Sequence, residues 1–128
     1  MIYVDSSVAL AHLLDEPRSP PEELWIERLT SSKLLEYEIW NRIHTYGLMD
    51  SHSESARALL LRITLIELNE LVLARALEPF PVRIRTLDAL HLATLVFIQS
   101  RSQEVELASY DVRLLEAAGA LGIPSAPL

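Results

Sequence analysis

Short apolar runs alternate along the chain with longer stretches in which apolar residues recur every three to four positions. This is the pattern of strands followed by helices. Ile2-Tyr3-Val4 closing on Asp5 reads as a strand over 2–5, and Ser6 to Leu14 as a helix over 6–14. Pro17, Pro20 and Pro21 interrupt the chain. Pro21 suits the first turn of a second helix, with Glu22 and Glu23 at its positive end and Leu24, Trp25, Ile26 and Leu29 packing. Residues 31–35 read as a short strand or turn. A third helix is expected over 36–47, with Ile39, Trp40 and Ile43 on its apolar side and Gly47 as its stop. Residues 53–77 admit one long helix. The β-branched cluster in their middle favours a helix over 53–62, a strand over 63–68 and a further helix capped by Asn69 and ended by Pro79 and Pro81. Thr86-Leu87-Asp88 opens a helix running to Ser100; a strand follows over 105–110 and a helix over 111–118. Residues 123–126 suggest a last edge strand.

Repeated β-then-α units without a linker predict one α/β domain over residues 1–128, with a mostly parallel central sheet flanked by helices. In such a sheet, ligands bind beyond the carboxyl ends of the strands. Four acids fall at strand ends or helix starts: Asp5 after the first strand, Glu38 in the first turn of the third helix, Asp88 opening the helix after the proline-rich loop, and Asp111 after the strand over 105–110. Each has a plainer reading. Asp5, Asp88 and Asp111 are good helix caps, and Glu38 favours a helix dipole.

Composition narrows the chemistry. Half of the 128 residues are hydrophobic, enough for a substantial core, and the absence of a long apolar run or a basic-then-apolar leader predicts a cytoplasmic protein without a membrane span. There is no cysteine, which excludes thiolate metal sites, disulfides and a cysteine nucleophile. The three glycines, Gly47, Gly119 and Gly122, form neither a dinucleotide fingerprint nor a P-loop. A metal, if bound, is held by oxygen or imidazole, and clustered carboxylates suit Mg²⁺ or Mn²⁺. The net charge of -7 is unlike that of most nucleic-acid binders, unless several acids converge on divalent cations.

Four segments carry a family resemblance. They are Ile2-Tyr3-Val4-Asp5-Ser6-Ser7, Ser32-Lys33-Leu34-Leu35-Glu36-Tyr37-Glu38, Leu87-Asp88-Ala89-Leu90-His91-Leu92-Ala93 and Ala108-Ser109-Tyr110-Asp111-Val112-Arg113-Leu114. In order and spacing they resemble the motifs of PIN-domain ribonucleases, specifically VapC-type toxins of type II toxin–antitoxin systems. Ser109 stands where that family often has threonine, which retains the hydroxyl. Glu36 competes with Glu38, but two residues apart on a helix they face differently, and the motif register favours Glu38.

The resemblance implies endonucleolytic cleavage of RNA by one or two Mg²⁺ or Mn²⁺ ions. Asp5 and Asp88 would be direct ligands, Glu38 and Asp111 would ligate directly or through water, and Ser6 and Ser109 would steady the acids. Arg42, Arg83 and Arg85 are candidate RNA contacts. For Arg42 the alternative is pairing with Glu38, and for the loop arginines it is solvation. His91, three residues after Asp88, is either a general base or a packed helix residue. Trp25 and Trp40 either stack on bases or pack. His12, His44 and His52 form no ligand spacing. The resemblance also implies a cognate VapB-type antitoxin placing an arginine near the acids, with a groove expected from Trp25, Ile26, Trp40 and Ile43, and a homodimer. Two other functions remain compatible with the residues: a non-catalytic RNA- or protein-binding module, and a metal-dependent phosphohydrolase acting on small phosphates.

Overall fold

The computed structural model describes all 128 residues. Four strands form one fully parallel sheet: β1 (Ile2–Val4), β2 (Leu29–Ser32), β3 (Thr64–Ile66) and β4 (Glu106–Ala108), in the spatial order β3-β2-β1-β4. Six α-helices flank it: α1 (Ser6–Leu13), α2 (Leu34–Thr45), α3 (Met49–Leu61), α4 (Glu70–Ala76), α5 (Thr86–Ser100) and α6 (Val112–Ala120). The α/β reading with a parallel sheet therefore holds.

Period-two alternation divides the core between the two faces of the sheet. Ile2 and Val4 of β1 point to one face and pack with α1, α2 and α3 through Val8, Leu35, Ile39 and Leu59. Tyr3 points to the other and joins Leu92 and Leu95 of α5 and Leu114 of α6. Both faces are covered, as parallel sheets require. From β1 the chain builds outward to β2 and β3 on one side, then returns to lay β4 on the other. Neighbouring connections thus leave the sheet in opposite directions between β1 and β4. That is the switch point where a crevice opens beyond the strand ends.

Several boundaries differ from the sequence expectation, each for a local reason. The expected second helix is only a short 3-10 turn over Glu22–Ile26, because Leu29 is already in β2. β2 is buried at all four positions although three of them are hydroxyl residues. Each hydroxyl finds a partner: Thr30 donates to the Thr64 carbonyl, Ser31 to the Val4 carbonyl, and Ser32 accepts from the Leu34 amide. Satisfied hydroxyls make a polar-looking segment fit for a central strand. α2 and α3 begin two and four residues earlier than expected, at Leu34 and Met49. Gly47 follows the α2 C-cap at φ +65°, the left-handed stop that a glycine provides. Asn69 caps α4 as its side chain accepts from the Val72 amide. The expected edge strand shrinks to a single bridge, Leu107 with Ser125, beside Pro124, which has no amide proton to donate.

Candidate active site

The cleft at the switch point has a volume of about 660 Å³ and is walled by Asp5, Glu38, Asp88 and Asp111 together. Each arrives on a different element. Asp5 is the residue after β1 and the N-cap of α1. Glu38 lies within the second turn of α2. Asp88 is the third residue of α5, and Asp111 caps α6. The plainer capping reading is therefore correct for Asp5 and Asp111. It fails for Asp88, since the α5 cap is Arg85, whose side chain makes no capping bond.

Asp5 is the most tightly held of the four. It is buried, and its Oδ2 accepts from the Ser7 hydroxyl at 2.7 Å, the Ser109 hydroxyl at 2.8 Å and the Ser7 amide at 3.4 Å. The two serines pass the connection on, because Ser7 Oγ accepts from the Tyr110 amide and Ser109 Oγ from the Asp111 amide. One carboxylate oxygen thus pins the end of β1 to the loop after β4. Oδ1 has no protein partner. Asp111 uses Oδ1 to cap Arg113 and Leu114, and its Oδ2 lies 3.8 Å from Arg85 Nη2. Arg85 also lies 3.7 Å from Asp88, and its side chain is 73% exposed.

Glu38 accepts from the Ser6 hydroxyl at 3.2 Å through Oε2, while Oε1 lies 2.6 Å from His91 Nε2. Behind it, His91 Nδ1 lies 2.6 Å from the Tyr3 hydroxyl. Glu36 points elsewhere and pairs with Lys33 at 2.7 Å. Ser6 thus touches Glu38, and Ser109 touches both the Asp5 carboxylate and the Asp111 amide.

The electrostatics match this convergence. Partial burial raises the Asp88 pKa above the ordinary carboxyl value, the charges of Asp111 and Asp5 add to the rise, and Arg85 opposes it. Burial resists protonation of His91, but the hydrogen bond and charge of Glu38, with Asp5 and Asp88 beyond, draw its pKa above the usual imidazole value. For Asp88 the folded state holds a proton more firmly than the unfolded chain. That contribution to stability is present at acid pH and is lost as pH rises through the folded pKa. Ionised Asp88 therefore destabilises the metal-free fold at neutral pH. In EDTA at pH 7, Asp88→Asn is expected to melt at or above the wild-type temperature. The gap should close toward pH 4, as followed by circular dichroism; a mutant clearly less stable at pH 7 would contradict the convergence.

The donor set fits a hard divalent cation: oxygen ligands only, with Asp5 Oδ1 unpartnered and Asp88 under like-charge repulsion that a cation relieves. No three acids or histidines stand in a coordinating group as they are placed. Arg85 meanwhile offsets part of the charge on Asp88 and Asp111.

A profile of the PIN domain matches residues 2–120, from the strand that delivers Asp5 to the end of the helix that Asp111 caps. The chain belongs to the PIN domain family. It is 30% identical to "Ribonuclease VapC47" of Mycobacterium tuberculosis (strain CDC 1551 / Oshkosh), across 98% of this chain and 96% of that protein. It is 31% identical to "Ribonuclease VapC46" of Mycobacterium tuberculosis (strain ATCC 25618 / H37Rv), across 95% of this chain and 93% of that protein.

Within this PIN domain the remaining sequence candidates separate. Arg42 and Arg85 line the cleft; Arg83 is exposed and does not. Arg42 forms no ion pair with Glu38 and lies instead over the Tyr46 ring at 5.3 Å. Trp25 is buried against the His12 ring, and Trp40 packs on the core beneath Arg57. The groove expected from Trp25, Ile26, Trp40 and Ile43 does not exist. Trp25 and Ile43 are core residues, and only Ile26 is widely exposed. Their helical spacing fitted a core face equally well. Sequence reasoning missed Arg18, which reaches the cleft from the proline-rich loop and lies 4.1 Å over the Tyr110 ring. It also passed over Tyr3, a hydroxyl-bearing ring in an otherwise apolar strand. No helix is long and apolar enough to cross a membrane.

Proposed function

We propose that this PIN domain is a Mg²⁺- or Mn²⁺-dependent endoribonuclease, the toxin of a type II toxin–antitoxin pair. The observation that carries the reading is the convergence of Asp5, Glu38, Asp88 and Asp111 from four elements onto one cleft at the switch point of the sheet. The relatives' ribonuclease names support RNA as the substrate.

Asp5 and Asp88 would hold the cation directly, and Glu38 and Asp111 would complete its surroundings directly or through water. A cation, or a pair of them, supplies Lewis acidity toward the phosphodiester and a water nucleophile at neutral pH. Ser109 fixes the orientation of Asp5, and Ser6 that of Glu38. Arg18, Arg42 and Arg85 face the same cleft and offer guanidinium groups to the RNA phosphates, which locally offsets a chain charge of -7. No protein nucleophile is required. RNA and a small phosphodiester, bis(p-nitrophenyl) phosphate, incubated in parallel separate this reading from a small-molecule phosphohydrolase. RNA turnover far above ester turnover is expected, and the reverse would overturn the reading.

Two partners belong to the proposal. A VapB-type antitoxin inserts an arginine among the acids and blocks them through charge-assisted pairing. A second copy of the chain covers the apolar patch beside the cleft, where Leu73 of α4 and Leu77 just after it stand with Ile84 and Leu90 of the α5 region and Leu77 is 90% exposed. Such patches mark interaction surfaces. Leu77→Glu is expected to convert a dimer to a monomer in light scattering without lowering the melting temperature of the monomer fold. An unchanged dimer would exclude this surface.

A further inference from the structure

Behind the cleft, a buried chain of hydrogen-bonding groups runs from the sheet to Glu38. The Ser32 amide donates to the Tyr3 hydroxyl oxygen at 3.2 Å. The same hydroxyl lies 2.6 Å from His91 Nδ1, and His91 Nε2 lies 2.6 Å from Glu38 Oε1. Tyr3 is fully buried and His91 is 1% exposed. Neither ring reaches the cleft wall, so neither is placed to touch a substrate.

The donor and acceptor inventory fixes the direction of this chain. A carboxylate only accepts, so His91 Nε2 carries the proton. The Ser32 amide is a donor, which leaves His91 Nδ1, at 2.6 Å, as the close acceptor for the Tyr3 O–H. Burial pushes the Tyr3 pKa upward, so its hydroxyl keeps its proton. A neutral His91 is therefore held as the Nε2–H tautomer by Tyr3, and it presents that N–H to Glu38.

We propose that Tyr3 and His91 are positioning residues that lock the carboxylate of Glu38 in the orientation from which it serves a bound divalent cation. The inference rests on the nuclease reading of the cleft for its purpose, but its hydrogen-bond order is a property of the protein alone. It also changes the reading of His91: the ring acts as an orienter of Glu38 in place of a general base. The Ser6 hydroxyl holds the other oxygen of Glu38, so the carboxylate is gripped from both sides. Partners of this kind behind a ligand govern its orientation, and losing one costs roughly 10–100-fold in metal affinity or activity.

Two measurements test it. In the wild-type protein at pH 8.5, long-range ¹H–¹⁵N spectra of His91 should show the Nε2–H tautomer, and Nδ1–H would overturn the proposal. Mn²⁺ titration by calorimetry then compares His91→Leu with His91→Gln, each first shown to be folded by circular dichroism. Glutamine places an amide N–H near the position of Nε2 and restores the donor to Glu38. His91→Leu should weaken Mn²⁺ binding by roughly tenfold or more, and His91→Gln should recover most of it. Equal affinities for wild type and His91→Leu, or equal losses in both variants, would overturn the proposal. Tyr3→Phe keeps the ring and removes only the O–H, and the His91 signal should then become a mixture of tautomers; an unchanged spectrum would count against Tyr3. If the tautomer and Mn²⁺ results hold while RNA stays intact, the positioning network stands and the nuclease reading fails. Normal RNA cleavage with unaltered Mn²⁺ affinity in His91→Leu would overturn the positioning network and leave the nuclease reading standing.

Discussion

Asp88→Asn is expected to lower RNA cleavage by roughly 10²- to 10³-fold, the loss seen when one electrostatic group that stabilises a transition state is removed. The substitution is nearly isosteric, and Asp88 caps no helix, so α5 has no structural reason to fail. It removes a charge from the group of Asp5, Asp88 and Asp111; burial first, and then repulsion from the other two, raises the Asp88 pKa. The same change therefore separates stability from activity: the mutant melts no lower than wild type in EDTA, gains far less from added Mg²⁺, and loses turnover. A rate equal to wild type under saturating Mg²⁺ would remove Asp88 from the site.

Asp5→Ala is expected to be damaging in a different way. It removes the acceptor for the Ser7 amide and for the Ser7 and Ser109 hydroxyls, all gathered on one buried oxygen. A buried donor left without a partner costs about 1–3 kcal/mol, and losing a helix cap costs about 1 kcal/mol. Some of these donors regain partners by rotation, so a net loss of about 3 kcal/mol is expected, roughly a 10 °C fall in melting temperature for a domain of this size. Asp5→Asn keeps an oxygen acceptor and should lose clearly less stability while still losing activity. If Asp5→Ala melts at the wild-type temperature, Asp5 does not hold the β1 and β4 ends together.

The fold was legible where a single pattern dominated. The apolar run before Asp5, the apolar stripe of α5 and the alternation of strand and helix all pointed to a parallel α/β sheet. β2 was misplaced because Thr30, Ser31 and Ser32 look like loop residues. Only tertiary partners such as the Val4 and Thr64 carbonyls reveal that their hydroxyls are satisfied. The segment around Trp25 followed a helical period, yet the proline-rich entry and the early start of β2 leave room for a 3-10 turn alone.

The four acids could be picked out because strand ends and helix starts share one rim in a parallel sheet. Of their supports, Ser6 and Ser109 could be picked out and the others could not. Tyr3 and His91 are 88 positions apart in sequence and look like ordinary members of a strand and a helix until their hydrogen bond is seen. Arg18 lies in a loop whose path no local signal gives. Arg83 and Arg85 are equivalent in sequence, and only the loop geometry turns Arg85 toward Asp88 and Asp111 and leaves Arg83 outside the cleft.

The most direct test is a cleavage assay with the purified wild-type protein and an end-labelled structured RNA, run in Mg²⁺, in Mn²⁺ and in EDTA. Discrete internal cuts are expected with either cation, and intact RNA in EDTA. Intact RNA under every condition, or the same cuts in EDTA as in Mg²⁺, would contradict a divalent-cation endoribonuclease site at Asp5, Glu38, Asp88 and Asp111.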